Sequence, residues 1–240
     1  MKKQFYLIVL LALAGFANAQ TAKAPANQKE ALEQTSAQLA PHIPEEIMGD
    51  FGAQMQALEA SGIVKNAVQV GQKAPDFHLT NAAGKQVSLK KMLKDGPVIL
   101  TFYRGSWCPF CNVQLAYLQQ SLPDFKRYNA TLVALSPQLP DSSLTLKERK
   151  KLSYEVLTDP SAKVAGDYKV LYKVTPEVQA DLSKMVGFEN YYNKDKGYYE
   201  LPLAATYLIG KDGIVKYAYL DVNWTKRAEP ADIVKVLKTL

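Results

Sequence analysis

The chain has 240 residues, 48% of them hydrophobic and 22% charged, a balance that suits a soluble globular protein and excludes a disordered or collagen-like one. Two cysteines and two histidines are too few for a disulfide-dense scaffold or a repeated metal array. The formal charge of +6 comes from Lys and Arg interspersed with acids, not from a basic stripe that would track a phosphate backbone, so no nucleic acid partner is expected.

At the N-terminus, Lys2 and Lys3 precede an apolar run from Phe5 to Phe16, and Ala17-Asn18-Ala19 supplies a small-x-small cleavage pattern ahead of Gln20. The run is shorter than the ~20 residues a membrane-spanning helix needs. Residues 1–19 are therefore expected to be a secretory signal peptide, leaving a periplasmic or secreted protein without membrane attachment. No cysteine follows the run to carry a lipid.

Residues 20–66 read as a flexible lead-in to position 27 and a helical extension. One helix is expected over 28–39, and another from Pro44, with Glu45 and Glu46 in its first turn, to a stop at Gly62. Ile47, Phe51, Met55 and Leu58 recur at spacings of three and four, an apolar face for packing on the main domain or on a second copy in a homodimer.

The main domain spans 67–240. A strand and turn lead to a short helix ending at Gly96, and the continuous apolar run Val98 to Tyr103 is expected to be a central strand buried on both faces. A helix from Pro109 to about Tyr128 must be kinked or divided by Pro123. Thr131 to Leu135 and Tyr154 to Leu157 read as buried strands, and 143–151 and 175–186 as helices. Asn190 to Glu200 is aromatic and polar without a usable period. Ala205 to Ile209, the turn Gly210-Lys211-Asp212-Gly213 and Ile214 to Leu220 form a hairpin, and a helix from about Pro230 closes the chain. The pattern is that of an α/β sheet with helices on both faces.

The chemistry is concentrated in Phe102-Tyr103-Arg104-Gly105-Ser106-Trp107-Cys108-Pro109-Phe110-Cys111-Asn112. Pro109 suits the first helical position, which makes Cys108 the N-cap and Cys111 the third helical residue. A thiolate at an N-cap can accept free backbone N–H groups at the positive end of the helix dipole, and such cysteines ionise more readily than free ones. Cys108 is accordingly expected to be the more exposed and more ionised thiol. Cys111, one turn on, is placed to form a redox disulfide with it. Trp107 is expected to shield one side of the pair, and Arg104 to add positive potential. A purely structural disulfide closing so short a loop would constrain the unfolded chain little. Zinc would need two further ligands from His42 and His78, neither suitably spaced, and c-type haem would need histidine where Asn112 stands. No metal or cofactor is expected.

Three stretches resemble the alkyl hydroperoxide reductase/thiol-specific antioxidant (AhpC/TSA) family, the peroxiredoxin-like branch of the thioredoxin-fold superfamily. They are GQKAPDFHL at the start of the domain, FYRGSWCPFCN at the cysteines and LAATYLIGKDGIVKYAYLDVNWTKRAEP near the end. The resemblance covers roughly residues 70–240. It implies a thioredoxin-like fold, a central mixed sheet flanked by helices, here with the N-terminal helical extension. It also implies thiol redox chemistry, and an Arg227 that folds back toward the pair. Aligned on Phe102-Tyr103, the family's Pro falls on Arg104, its Thr on Cys108 and its peroxidatic cysteine on Cys111. Its active-site Arg and the cis-Pro of thioredoxin-like chains both fall on Ala204. Thioredoxin-like reasoning names Cys108 as attacker and Cys111 as resolver, whereas the peroxiredoxin alignment names Cys111. The local helix-cap reasoning favours Cys108.

Among other polar residues, Asp221 is assigned to a turn, Glu45 and Glu46 to a helix start, His78 and His42 to the surface, and the tyrosines at 191–192 and 198–199 to packing. Three functions follow. The first is an exported thiol peroxidase, in which the Cys108 thiolate attacks a hydroperoxide, becomes a sulfenic acid and condenses with Cys111 to a disulfide, and a partner thiol reductant, a thioredoxin-like protein or a small thiol, restores the pair. The second is a thiol–disulfide oxidoreductase acting on protein disulfides. The third is a non-catalytic interaction module, in which serine at both cysteines would leave function intact.

Overall fold

The computed structural model describes residues 25–81, 84–192 and 197–240. The expected signal peptide, and the lead-in up to residue 24, lie outside the described residues.

β3 (Val98–Phe102) is buried along its whole length, as an unbroken Val-Ile-Leu-Thr-Phe run requires. It is the middle strand of a five-stranded sheet of order β5-β4-β3-β8-β9. β4 (Thr131–Ser136) and β5 (Glu155–Thr158) continue it in parallel on one side. β8 (Thr206–Ile209) and β9 (Val215–Tyr219), the expected hairpin, lie antiparallel on the other. This is the mixed sheet that the resemblance implies. Successive residues of a strand face opposite sides, so Val98, Leu100 and Phe102 enter one core with Val133, Leu135 and Tyr207. Ile99 enters the other with Leu132, Ala134 and Leu208.

The second core holds the cysteine helix. The apolar positions of α5 (Pro109–Gln120) pack there with α10 (Pro230–Leu237) and with Leu32 of α1 (Gln28–Leu39). Ser121 separates α5 from α6 (Leu122–Lys126), which divides the long helix just before Pro123, the residue without an amide N–H. α7 (Pro140–Arg149) starts three residues earlier than the sequence suggests, because Pro140 takes the first helical position. The first core is covered by the hairpin β1 (His78–Thr80) and β2 (Gln86–Ser88), by α4 (Leu89–Asp95) and by α8 (Lys163–Asp167).

The helical extension is packed onto the domain. Gln28 Nε2 in α1 donates to the Ala228 carbonyl at 2.7 Å. α2 (Glu45–Ala60) is joined by the single turn α3 (Ile63–Asn66) to the domain. Phe51 and Leu58 of its expected apolar face are buried, and Ile47 and Met55 are half-buried. In α2, Gln54 clamps the chain entering α9 (Pro176–Val186): its Nε2 donates to Lys173 O at 3.2 Å and its Oε1 accepts from Thr175 N at 3.0 Å. A third cluster forms there from Phe51, Val178, Leu182, Phe188, Tyr192 and Leu201. The aromatic segment without a readable period supplies a 3₁₀ turn (Phe188–Tyr191) and the short strand β7 (Glu200–Pro202), which pairs antiparallel with β6 (Leu171–Lys173).

Candidate active site

The loop that follows β3 is fixed by side chains from three other segments. The Ser106 amide donates to Gln138 Oε1 at 2.8 Å, and Asn112 Nδ2 donates to Ser106 O at 3.0 Å. The Arg104 carbonyl accepts from Ser136 Oγ at 3.3 Å and from the hydroxyl of Tyr192. That same hydroxyl accepts the indole N–H of Trp107 at 2.6 Å. Gly105 must remain glycine in this loop: a Cβ would stand 2.6 Å from the Tyr192 hydroxyl and against the Trp107 ring.

Cys108 is the N-cap of α5, and Cys111 sits in its first turn after Pro109, as the sequence indicates. The expected exposure is not found. Both cysteines are 0% exposed, and the Cys108 side chain makes no capping bond to the helix. The N-cap position fixes the backbone of Cys108, but its side chain is buried with Cys111 in the second core, against which Trp107 and Trp224 also pack. The two thiols are free and within hydrogen-bonding reach of each other.

Each sulfur has its own guanidinium. Arg104 Nη2 donates to Cys108 Sγ at 3.0 Å, and Arg227 Nη2 donates to Cys111 Sγ at 3.4 Å. Arg227 does fold back to the pair, held by its Nε–H on Gln114 Oε1 at 2.9 Å and by the carbonyls of Lys226 and Trp224. Arg104 lies between two indoles, 5.2 Å from the Trp107 centroid and 5.5 Å from that of Trp224, an arrangement that holds a cation by its faces. Both guanidiniums are buried, where a positive charge strongly favours an anion beside it.

The order of ionisation is the reverse of the sequence expectation. Burial pushes the Cys108 thiol well up, and its hydrogen bond to Cys111 adds to this; Arg104 and Arg227 offset only part. Burial also opposes the Cys111 thiolate, but the Cys108 thiol, Arg227, Arg104 and the Arg104 backbone N–H together bring Cys111 well below the ordinary thiol value. The pair thus loses one proton early and the second late, with the first charge on Cys111.

Gln114 was not singled out by sequence reasoning. Its Nε2 donates to the hydroxyls of Thr101 and Thr206, at 3.1 and 3.3 Å, while its Oε1 holds Arg227. It lies one turn beyond the motif on the inner face of α5, and a lone glutamine carries no motif signal. Tyr192, assigned to packing, is buried in the third cluster as expected, and its hydroxyl also joins Trp107 to the Arg104 carbonyl; Trp224 stacks on Arg104. Asp221 accepts the Asn223 amide at 2.8 Å in the expected turn. His78 is exposed and shares a hydrogen bond with Ser88; His42 is exposed as well.

Residues 70–218 match the model of the AhpC/TSA family. A putative chloroplastic peroxiredoxin Q from Oryza sativa subsp. indica is 28% identical over 178 residues, 74% of this chain and 70% of that protein. The thiol–disulfide oxidoreductase ResA of Bacillus cereus (strain ZK / E33L) is 31% identical over 109 residues, 44% of this chain and 61% of ResA. Among solved structures, peroxidoxin BcpB from Mycobacterium tuberculosis superposes with a TM-score of 0.56 at 19% identity, covering 72% of this chain and 98% of BcpB. The chain belongs to the AhpC/TSA family and is an enzyme of the kind its relatives represent, the peroxiredoxins and thiol–disulfide oxidoreductases.

Proposed function

We propose that the protein is an exported thiol peroxidase that reduces hydroperoxides through a dithiol–disulfide cycle of Cys108 and Cys111. The observation that carries this reading is the pair itself: two thiols one helical turn apart, each with a buried guanidinium, at 3.0 and 3.4 Å. Cys111 takes the role of attacker, because it is the sulfur on which the first negative charge rests. This reverses the assignment favoured by the helix-cap reasoning. Cys108 resolves the Cys111 sulfenic acid into a disulfide, and an external thiol reductant reopens it. Arg227 holds the attacking thiolate, the place left vacant by Ala204 where the family's arginine is expected. Export rests on the leader-like residues 1–19 and places the cycle in a compartment where disulfides persist.

A second reading, exchange with protein disulfides, is favoured by the likeness to ResA and by the Trp-Cys-x-x-Cys element of Trp107 to Cys111, which resembles that of thioredoxins and disulfide exchangers. The burial of both sulfurs weighs against it, since a folded disulfide partner must displace the aromatic cover to reach them. The test is steady-state turnover with a thioredoxin-type donor, comparing hydrogen peroxide consumption with reduction of insulin disulfides by the same preparation. Peroxide consumption that outpaces insulin reduction supports the peroxidase, and the opposite ranking overturns it.

A further inference from the structure

The two guanidiniums at the pair are not equivalent. Arg227 has committed its donors: Nε to Gln114, Nη1 to the carbonyls of Trp224 and Lys226, and Nη2 to Cys111. In Arg104, Nη2 meets Cys108 Sγ at 3.0 Å while the buried Nε has no hydrogen-bond partner among the described residues. Its plane is fixed by the indoles of Trp107 and Trp224, and the Tyr172 phenol lies within hydrogen-bonding reach. Arg104 is thus an immobilised cation aimed at the sulfur that is not the first to ionise.

We propose that Arg104 is the catalytic residue of the second half of the cycle, receiving the thiolate of Cys108 when Cys111 gives up its negative charge to the peroxide. The inference rests on the hydroperoxide reading above and assigns a separate cation to each of its two sulfur steps.

In the resting dithiol, Cys111 carries the charge and the Cys108 thiol donates to it; a second thiolate alongside would meet like-charge repulsion. When Cys111 attacks the outer peroxide oxygen, an S–O bond forms, the O–O bond breaks, and the alkoxide leaves as an alcohol with the Cys108 proton. Cys111 is then a neutral sulfenic acid, and the negative charge stands on Cys108, 3.0 Å from Arg104. The Cys108 thiolate attacks the Cys111 sulfur, the S–S bond forms, and the S–O bond breaks. Hydroxide departs and takes a proton from solvent to become water. Two electrons have passed from the two sulfurs to the peroxide. Arg104 removes the wait for Cys108 to ionise, which would otherwise oppose ring closure in a buried site.

The test is rapid quenching of the reduced full chain and of its Arg104→Met and Arg104→Lys variants after mixing with hydrogen peroxide. Dimedone captures sulfenic acid, an alkylating agent captures free thiols, and mass spectrometry follows dithiol, Cys111 sulfenic acid and disulfide with time. Arg104→Met is expected to slow disulfide formation by about ten- to a hundredfold, the effect of one lost charge-assisted hydrogen bond, and sulfenic acid formation by a smaller factor, since Arg104 is one of several groups that favour the Cys111 thiolate while Arg227 still holds it. Sulfenic acid then accumulates at Cys111, and Arg104→Lys, which keeps the charge, falls between. If Arg104→Met does not fold, Arg104→Lys must show the same selective slowing. Equal slowing of both steps, or disulfide formation as fast as in the unsubstituted chain, overturns the proposal. Failure of the hydroperoxide reading looks different: the unsubstituted chain itself then forms sulfenic acid no faster than free cysteine.

Discussion

Gln114 Oε1 accepts the Nε–H of Arg227 at 2.9 Å, across 113 residues of sequence. The other end of the same amide bonds the hydroxyls of Thr101 and Thr206, which bond each other at 2.9 Å across β3 and β8. One side chain therefore ties the middle of the sheet to the cation at Cys111. Gln114→Leu is expected to destabilise the protein by about 1–3 kcal/mol, since it leaves buried donors and acceptors unpaired; urea unfolding measures this. Gln114→Glu sets a carboxylate against Arg227 and draws its charge away from Cys111. The onset of thiolate absorbance in the ultraviolet then moves to higher pH, and an unchanged onset would show that Arg227 does not hold that thiolate.

Stability should depend on pH in the reduced protein in a way the oxidised protein lacks. Cys111 ionises below, and Cys108 above, the ordinary thiol value of about 8.5. Between the lowered Cys111 value and ordinary thiol ionisation, the unfolded chain binds one more proton than the folded one, so stability rises with pH. Above that, the unfolded chain loses the Cys108 proton first, and stability falls until Cys108 itself ionises. The difference in unfolding free energy between reduced and oxidised forms is expected to pass through a maximum near pH ~8.5. A difference that is flat with pH would contradict the split ionisation.

The extension helix α2 bears on the site through one aromatic contact. Phe51 lies 4.9 Å from Trp224, centroid to centroid, and Trp224 stacks on Arg104. Phe51→Ala is expected to cost about 3–5 kcal/mol in denaturant unfolding and to speed alkylation of both cysteines in the folded, reduced chain. Stability within experimental error of the unsubstituted chain would mean that the extension packs without supporting the cover.

Gly105→Ala places a methyl group 2.6 Å from the Tyr192 hydroxyl, displacing the side chain that joins Trp107 to the Arg104 carbonyl. A loss of about 1–3 kcal/mol is expected from the broken buried hydrogen bonds, together with a changed tryptophan emission. Tyr192→Phe, which keeps the ring but removes the hydroxyl, should reproduce the emission change. Unaltered emission in both variants would show that the loop does not depend on that hydroxyl.

What could be read from the sequence was local. The buried run of β3, the Gly-Lys-Asp-Gly hairpin, the break before Pro123 and the placing of Cys108 and Cys111 each depend on a few adjacent residues and hold in the structure. Cysteine exposure could not be read this way. It is decided by Phe51 from one distant segment and by Phe188 and Tyr192 from another, which pack on Trp224 and Trp107 beside the pair. β6 and β7 escaped because three-residue strands are too short to show alternation. Gln114 escaped because a polar residue on a helix reads as surface until Arg227 and the two threonines are seen around it.

The most direct measurement is stopped-flow tryptophan fluorescence of the reduced chain mixed with hydrogen peroxide, alongside Cys111→Ser and Cys108→Ser, because Trp107 stands beside the pair and stacks on Arg104. The unsubstituted chain should react orders of magnitude faster than free cysteine. Cys111→Ser should not react, while Cys108→Ser should react once and stop at a sulfenic acid. A rate no better than free cysteine, or a fast reaction that survives in Cys111→Ser and vanishes in Cys108→Ser, would contradict a peroxidase built on the Cys111 thiolate.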